Sequence, residues 1–170
     1  MIHPPAVSRR AVLGAALAAC LSPALALEPP AGPTVLSVSG SIGQRNTPDA
    51  ADFDLAMLEK LPQRSITTTV PWYPEARTFT GVLLRDLLAA VGATGSTLRA
   101  IALNDYRVDI PVKDVHDHDV IVAYRLDGRP MSVREKGPLV IMYPFDSSRQ
   151  LRNAVHFGRA AWQLRRIEVR

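Results

Sequence analysis

The chain has 170 residues, with 20 lysines and arginines against 16 acids and a net charge of +4. Both basic residues of the first 26 positions, Arg9 and Arg10, come without an acid, so residues 27–170 keep 18 bases against 16 acids, a net charge of +2. That near balance does not argue for a nucleic-acid partner, which needs basic residues clustered on one face, and none is expected.

In chain order, residues 1–26 read as an export signal peptide. Ser8-Arg9-Arg10 supplies the charged start, residues 11–21 form an apolar core too short to span a bilayer, and Ala24-Leu25-Ala26 fits a small-residue cleavage site. The mature chain then begins near Leu27 and is expected in the periplasm. Three export routes stay open: a twin-arginine signal at Ser8-Arg9-Arg10-Ala11-Val12-Leu13, an ordinary secretory signal, and a lipobox at Leu17-Ala18-Ala19-Cys20 with lipid anchoring through Cys20. In each case the sole cysteine, Cys20, leaves no thiol in residues 27–170 for a metal or a disulfide.

Residues 27–170 suit a single domain with a real core. Residues 28–33 are a proline-rich lead-in, 35–39 alternate as a strand, and 52–58 read as a short helix with an Asp cap, stopped before Pro62. Residues 65–70 are a β-branched strand. Residues 82–91 read as a helix, with Leu83, Leu84, Leu87, Leu88 and Val91 at helical spacing and Gly92 as its stop. Strands are expected at 98–103, 107–112, 120–125, 139–143 and 164–169, with Asp127-Gly128 as a hairpin turn. Helices early and strands late predict an α+β domain built on a mixed sheet or barrel-like sandwich.

Known chemical constellations are scarce. No Gly-x-Ser-x-Gly elbow and no glycine-rich phosphate loop occurs, so no catalytic residue is assigned. His116-Asp117-His118-Asp119 invites zinc, but its spacing aligns two histidines only on a strand, and it reads as a polar loop with no metal. Arginines crowd the last third of the chain, either as solvated strand residues or as forks for anionic partners.

Five segments in order carry a stronger signal: TFTGVLLRDLLAAVGA from Thr78, IALNDYRVDIPV from Ile101, DVIVAYRLDGRP from Asp119, MSVREKGPLVIMYPFD from Met131 and RAAWQLRRIEV from Arg159. Together they resemble the molybdopterin-binding domain of sulfite-oxidase-type oxidoreductases. The resemblance implies that family's α+β fold and a pocket for a pterin, whose flat polar bicycle wants an aromatic face, an acid or amide, and donors for its carbonyl. It also implies that the family's metal-ligating cysteine falls near Trp72-Tyr73, between Pro71 and Pro74, so a ring is accommodated and molybdenum is not.

Asn104-Asp105-Tyr106 stands where the family carries Asp-Gly-Tyr; the alternative is a turn whose Asn and Asp bond their own backbone. Lys136-Gly137-Pro138 resembles a His-Gly-Pro turn, and Arg159 and Trp162 stand where the family closes its pocket. Trp72, Asn104, Asp105, Tyr106, Lys136, Arg159 and Trp162 are therefore the expected cofactor-binding set. By the same resemblance the chain is an exported pterin-binding protein that relays pterin occupancy to the periplasmic domain of a membrane receptor, a cyclic-di-GMP signalling enzyme. The alternatives are a small molybdenum-cofactor-dependent oxidoreductase subunit and an assembly partner with an empty pocket.

Overall fold

The computed structural model describes residues 27–170; the expected export segment and Cys20 lie outside the described residues. Ten strands and four short helices make up the domain. The first sheet runs β2 (Ala50–Phe53), β1 (Leu36–Gly40), β10 (Leu164–Val169), β5 (Thr97–Ala102), β6 (Arg107–Pro111). Its β1–β10 pair is parallel and its other pairs are antiparallel, so the sheet is mixed. The second sheet runs β3 (Gln63–Thr68), β4 (Arg77–Leu83), β7 (Ile121–Leu126), β8 (Arg129–Pro130), with β9 (Val140–Met142) also paired to β7. Both sheets stay open, an α+β sandwich and not a closed barrel. No described helix is long and apolar enough to cross a membrane.

The core between the layers is continuous from Leu36, Val38 and Phe53 through Phe79, Val82 and Leu87 to Ile121, Ile141 and Ile167. Its strands are buried at alternate positions on the edges and at nearly every position in β7 and β9, as expected for strands covered on both faces.

Local chemistry explains the element boundaries. Residues 52 and 53, expected in the first helix, finish strand β2, and α1 (Leu55–Lys60) starts one turn later. Asp54 is the cap, accepting the Met57 N–H at 2.8 Å and the Gly32 N–H at 2.7 Å. Those backbone donors hold its carboxyl below the ordinary aspartate range. Val82 and Leu83, expected in the second helix, belong to β4, because pairing with β3 and β7 outweighs the leucine spacing. The helix proper is α2 (Leu84–Ala90), and Gly92 ends it at φ +59° as expected.

The polar stretch before Val120 contains α3 (Val112–Asp117), entered from Pro111, and the fourth helix, α4 (Ala154–Arg159), is capped by Asn153. Asp127 and Gly128, both at positive φ, form the β7–β8 hairpin turn.

The register of β4 on β7 shifts between Thr80 and Gly81. A Cβ at Gly81 would strike the Val122 carbonyl oxygen and lie 2.5 Å from Ala123 Cα, with backbone on both counts unable to yield. Gly81→Ala should lower the unfolding free energy by about 3 kcal/mol, read by urea denaturation.

Candidate functional site

Segment 161–164 crosses from α4 into β10 and pairs on the way with the second sheet. Ile141 N–H donates to the Ala161 carbonyl at 3.0 Å and Leu164 N–H to the Leu139 carbonyl at 2.9 Å, around a bridge between Val140 and Trp162. This crossing delivers the Trp162 indole among Trp72, Tyr73 and Phe79, with ring centroids 5.2, 6.2 and 6.1 Å away and steep interplanar angles. Such edge-to-face packing is favourable beyond the area it buries. Phe157 of α4 meets Trp72 edge-on at 6.2 Å.

These rings border a cleft of about 260 Å³, lined by Trp72, Asn104, Tyr106, Phe157, Trp162 and Gln163 among others. Its walls are pinned. The Tyr106 hydroxyl donates to the Gly158 carbonyl at 2.9 Å, Asn104 Oδ1 accepts the Tyr106 N–H at 3.1 Å, and Gln163 Nε2 donates to the Val133 carbonyl at 2.9 Å. The loop carrying Trp72 is anchored through Thr69, whose N–H and hydroxyl each donate to Asp146 at 2.6 Å. One donor is left over: the Trp162 Nε1 is buried without a partner, the sole such side-chain atom among the described residues. A buried unpaired donor is costly and calls for an acceptor.

Of the seven expected residues, Trp72, Asn104, Tyr106 and Trp162 line this one cleft. Lys136 stands at its border, with Nζ 5.3 Å from the Trp162 ring and 5.6 Å from the Tyr73 ring, and lines a neighbouring cleft. Asp105 turns outward, its side chain 68% exposed and 3.5 Å from Arg165. At φ +63° this aspartate occupies the left-handed conformation in which glycine is unstrained, at the position where the resemblance expects a glycine. Lys136 and Gln163, at φ +71° and +53°, also adopt it. Three of the four non-glycine residues at positive φ among the described residues thus border the site, at a cost of about 1 kcal/mol or more each.

Arg159 faces away from the cleft. Its Nη1 donates to Asp114 Oδ2 at 2.6 Å, the same oxygen accepts the Tyr143 hydroxyl at 3.0 Å, and His156 Nε2 lies 3.9 Å off. Burial pushes the Tyr143 phenol far above its ordinary range and pushes His156 below its own, so the histidine is neutral near pH 7. This knot ties α4, the wall of the cleft, to α3. The expected set did not include Asp114 or His156; the available signal was Tyr143, a strand-end phenol that burial obliges to find a partner.

The fold has a counterpart in known proteins. Residues 36–146 match the family model described as the oxidoreductase molybdopterin binding domain. The chain belongs to that family. The matched span of the molybdopterin-binding domain includes Trp72, Asn104, Asp105, Tyr106 and Lys136, and ends before Arg159 and Trp162.

Among solved structures, the sulfane dehydrogenase SoxCD from Paracoccus pantotrophus is similar in fold, with a TM-score of 0.59 and 17% identity over 79% of this chain. This chain covers 37% of the SoxCD chain. No curated protein sequence matches it. Among the described residues of this molybdopterin-binding domain, no three His, Cys, Asp or Glu side chains gather as metal ligands. In the His116–Asp119 stretch, Asp119 pairs with Arg64 and Arg85, and Asp117 with Lys113.

Because Asp114 and Arg159 are largely shielded, at 16% and 19% side-chain exposure, removing one leaves the other stranded. Arg159→Met should cost about 2 kcal/mol of stability after allowance for that residual exposure, and the double variant Asp114→Asn/Arg159→Met should recover part of it. Chemical denaturation of these two and of Asp114→Asn alone reads the cycle.

Proposed function

We propose that this molybdopterin-binding domain is an exported pterin-binding protein that holds its ring without molybdenum and relays occupancy to a membrane-bound cyclic-di-GMP signalling enzyme. The observation that carries the reading is the pair of indoles, Trp72 and Trp162, 5.2 Å apart on a cleft that also offers Asn104 and Tyr106. The donor set fits a pterin ring. Aromatic faces suit its bicycle, and the Asn104 amide donors carry no other bond. It does not fit a thiolate-bound metal, since residues 27–170 contain no cysteine and Trp72 stands in the aromatic loop instead.

In this reading no catalytic residue is assigned and a bound ring acts by changing what the surface offers a partner; a ligand shifts such an equilibrium only by its differential affinity. The surface around the cleft suits that role. Leu103, Tyr106, Val133 and Val155 are the exposed large hydrophobic residues among those described, and each belongs to, or is hydrogen-bonded to, an element of the cleft wall. The periplasmic domain of a membrane receptor is the partner this reading names.

Trp72 and Trp162 are the chain's two tryptophans, so its intrinsic fluorescence reports on the cleft. Titration with a tetrahydropterin should quench it saturably, and Trp72→Leu should weaken binding by about 1–3 kcal/mol through lost stacking. Equal affinity in that variant would remove Trp72 from the site. Protein exported from a host that makes molybdenum cofactor should carry no stoichiometric molybdenum. One metal per chain by elemental analysis would favour the oxidoreductase-subunit reading instead.

A further inference from the structure

The longest strand with one open side is β3. It ends its sheet, and among the described residues β4 is the only strand it meets and no backbone bond from a loop reaches its outer side. Alternate residues of such a strand turn an N–H and a carbonyl away from the neighbour, and these groups are a template for another strand.

The other sheet edges carry protection that β3 lacks. β8 is two residues long and ends in Pro130, β2 has four residues, and β6 ends in Pro111 and carries Arg107 and Asp109. β3, Gln63-Arg64-Ser65-Ile66-Thr67-Thr68, has no proline, no lysine and no bulge, and all six residues pair with β4 in unbroken register. Its single charge is turned aside: Arg64 donates to Asp119 at 2.8 Å.

Ser65 and Thr67 stand exposed on the outer face, their hydroxyls 2.8 Å from those of Thr80 and Thr78 on β4. Ile66 and Thr68 are buried on the other face. Beside them opens a groove of about 280 Å³ bordered by Ile66, Asp119, Pro144 and Ser147, which gives an added strand room for its own inward side chains.

We propose that β3 is a homodimer seam, where a second copy of this chain adds its own β3 antiparallel about a two-fold axis through Ile66. The strand is complementary to itself in that register. Ser65 stands opposite Thr67 of the second copy, which extends the hydroxyl rows across the seam, and Ile66 meets its own symmetry mate. Each Arg64 faces Thr68, so the two arginines lie four residues apart along the strands, about 13 Å, beyond the screening length of about 8 Å at physiological salt. Moving the axis to Ser65 sets Arg64 against Ile66 and halves that separation, so charge selects the Ile66 register. No residue of β3 lines the aromatic cleft, and a monomer would leave the pterin reading intact.

Sedimentation equilibrium of the purified protein over a concentration series tests this. A reversible dimer is expected. Ser65→Lys/Thr67→Lys sets like charges opposite each other across the seam and should raise the dimer dissociation constant by about tenfold or more. Ser65→Glu/Thr67→Lys turns the same positions into opposite-charge pairs and should return it to within about threefold of wild type. Restoration also shows that the loss in the double-lysine variant is not unfolding, since both variants replace the same two exposed residues. Arg107→Glu, on the edge of the other sheet, should change nothing.

A monomer at every concentration up to about 1 mM overturns the proposal and would assign the edge to a strand of another protein. Wild-type dimer affinity in the double-lysine variant overturns it as well, because the contact then lies elsewhere. So does a Glu/Lys variant as weak as the double-lysine one, since the strands then do not pair about Ile66.

Discussion

The short seam between segments 139–141 and 161–164 is the constraint on which the rest of the molecule depends. Two backbone hydrogen bonds and one bridge join the first sheet to the second there, and the chain must change direction on either side to make them. Gln163 accordingly sits at positive φ, as does Lys136, whose carbonyl accepts the Gln163 N–H. The same crossing fixes Trp162 between the layers, so the aromatic cleft inherits a wall from a backbone requirement of the fold. Strain of this kind persists only where surrounding structure over-determines it, and here the pinning bonds of Tyr106, Gln163 and Leu103 do so.

Charge is distributed in two ways. Most ion pairs, such as Lys113 with Asp117 or Arg125 with Glu59, are at the surface and contribute little to stability. Asp114 with Arg159 and Tyr143 is different: a shielded carboxylate that collects two hydrogen-bond partners, with His156 3.9 Å off, and sets α4 against α3. The arginine that the family resemblance put in the pocket thus shapes the pocket from behind. What lines the aromatic cleft is neutral and mostly ring-like.

Much of this was legible in the sequence, for identifiable reasons. β10 was read to the residue, since Leu164, Ile167 and Val169 needed no partner to mark a strand. Gly92 and Asp127-Gly128 were readable because positive φ restricts the residues that can serve. β4 was hidden, because Val82 and Leu83 continue the helical spacing of the leucines after them and only pairing with β3 and β7 separates strand from helix. α3 and α4, six residues each, are too short for periodicity to register.

At the site, the motif order brought Asn104, Tyr106 and Trp162 to one cleft, and Trp72 joins them from the loop where the resemblance puts the family's cysteine. The directions of Arg159 and Asp105 did not follow. A side chain's direction depends on partners such as Asp114 and Arg165, which lie far off in sequence.

The central proposal is that this molybdopterin-binding domain holds a pterin ring in the cleft bordered by its two indoles, without a thiolate-bound metal. Mass spectrometry of the small molecules released by denaturing protein exported from a cofactor-competent host tests it most directly. The account predicts a metal-free pterin in amounts approaching one per chain. Release of an intact molybdenum cofactor, or of no pterin at all, would contradict it.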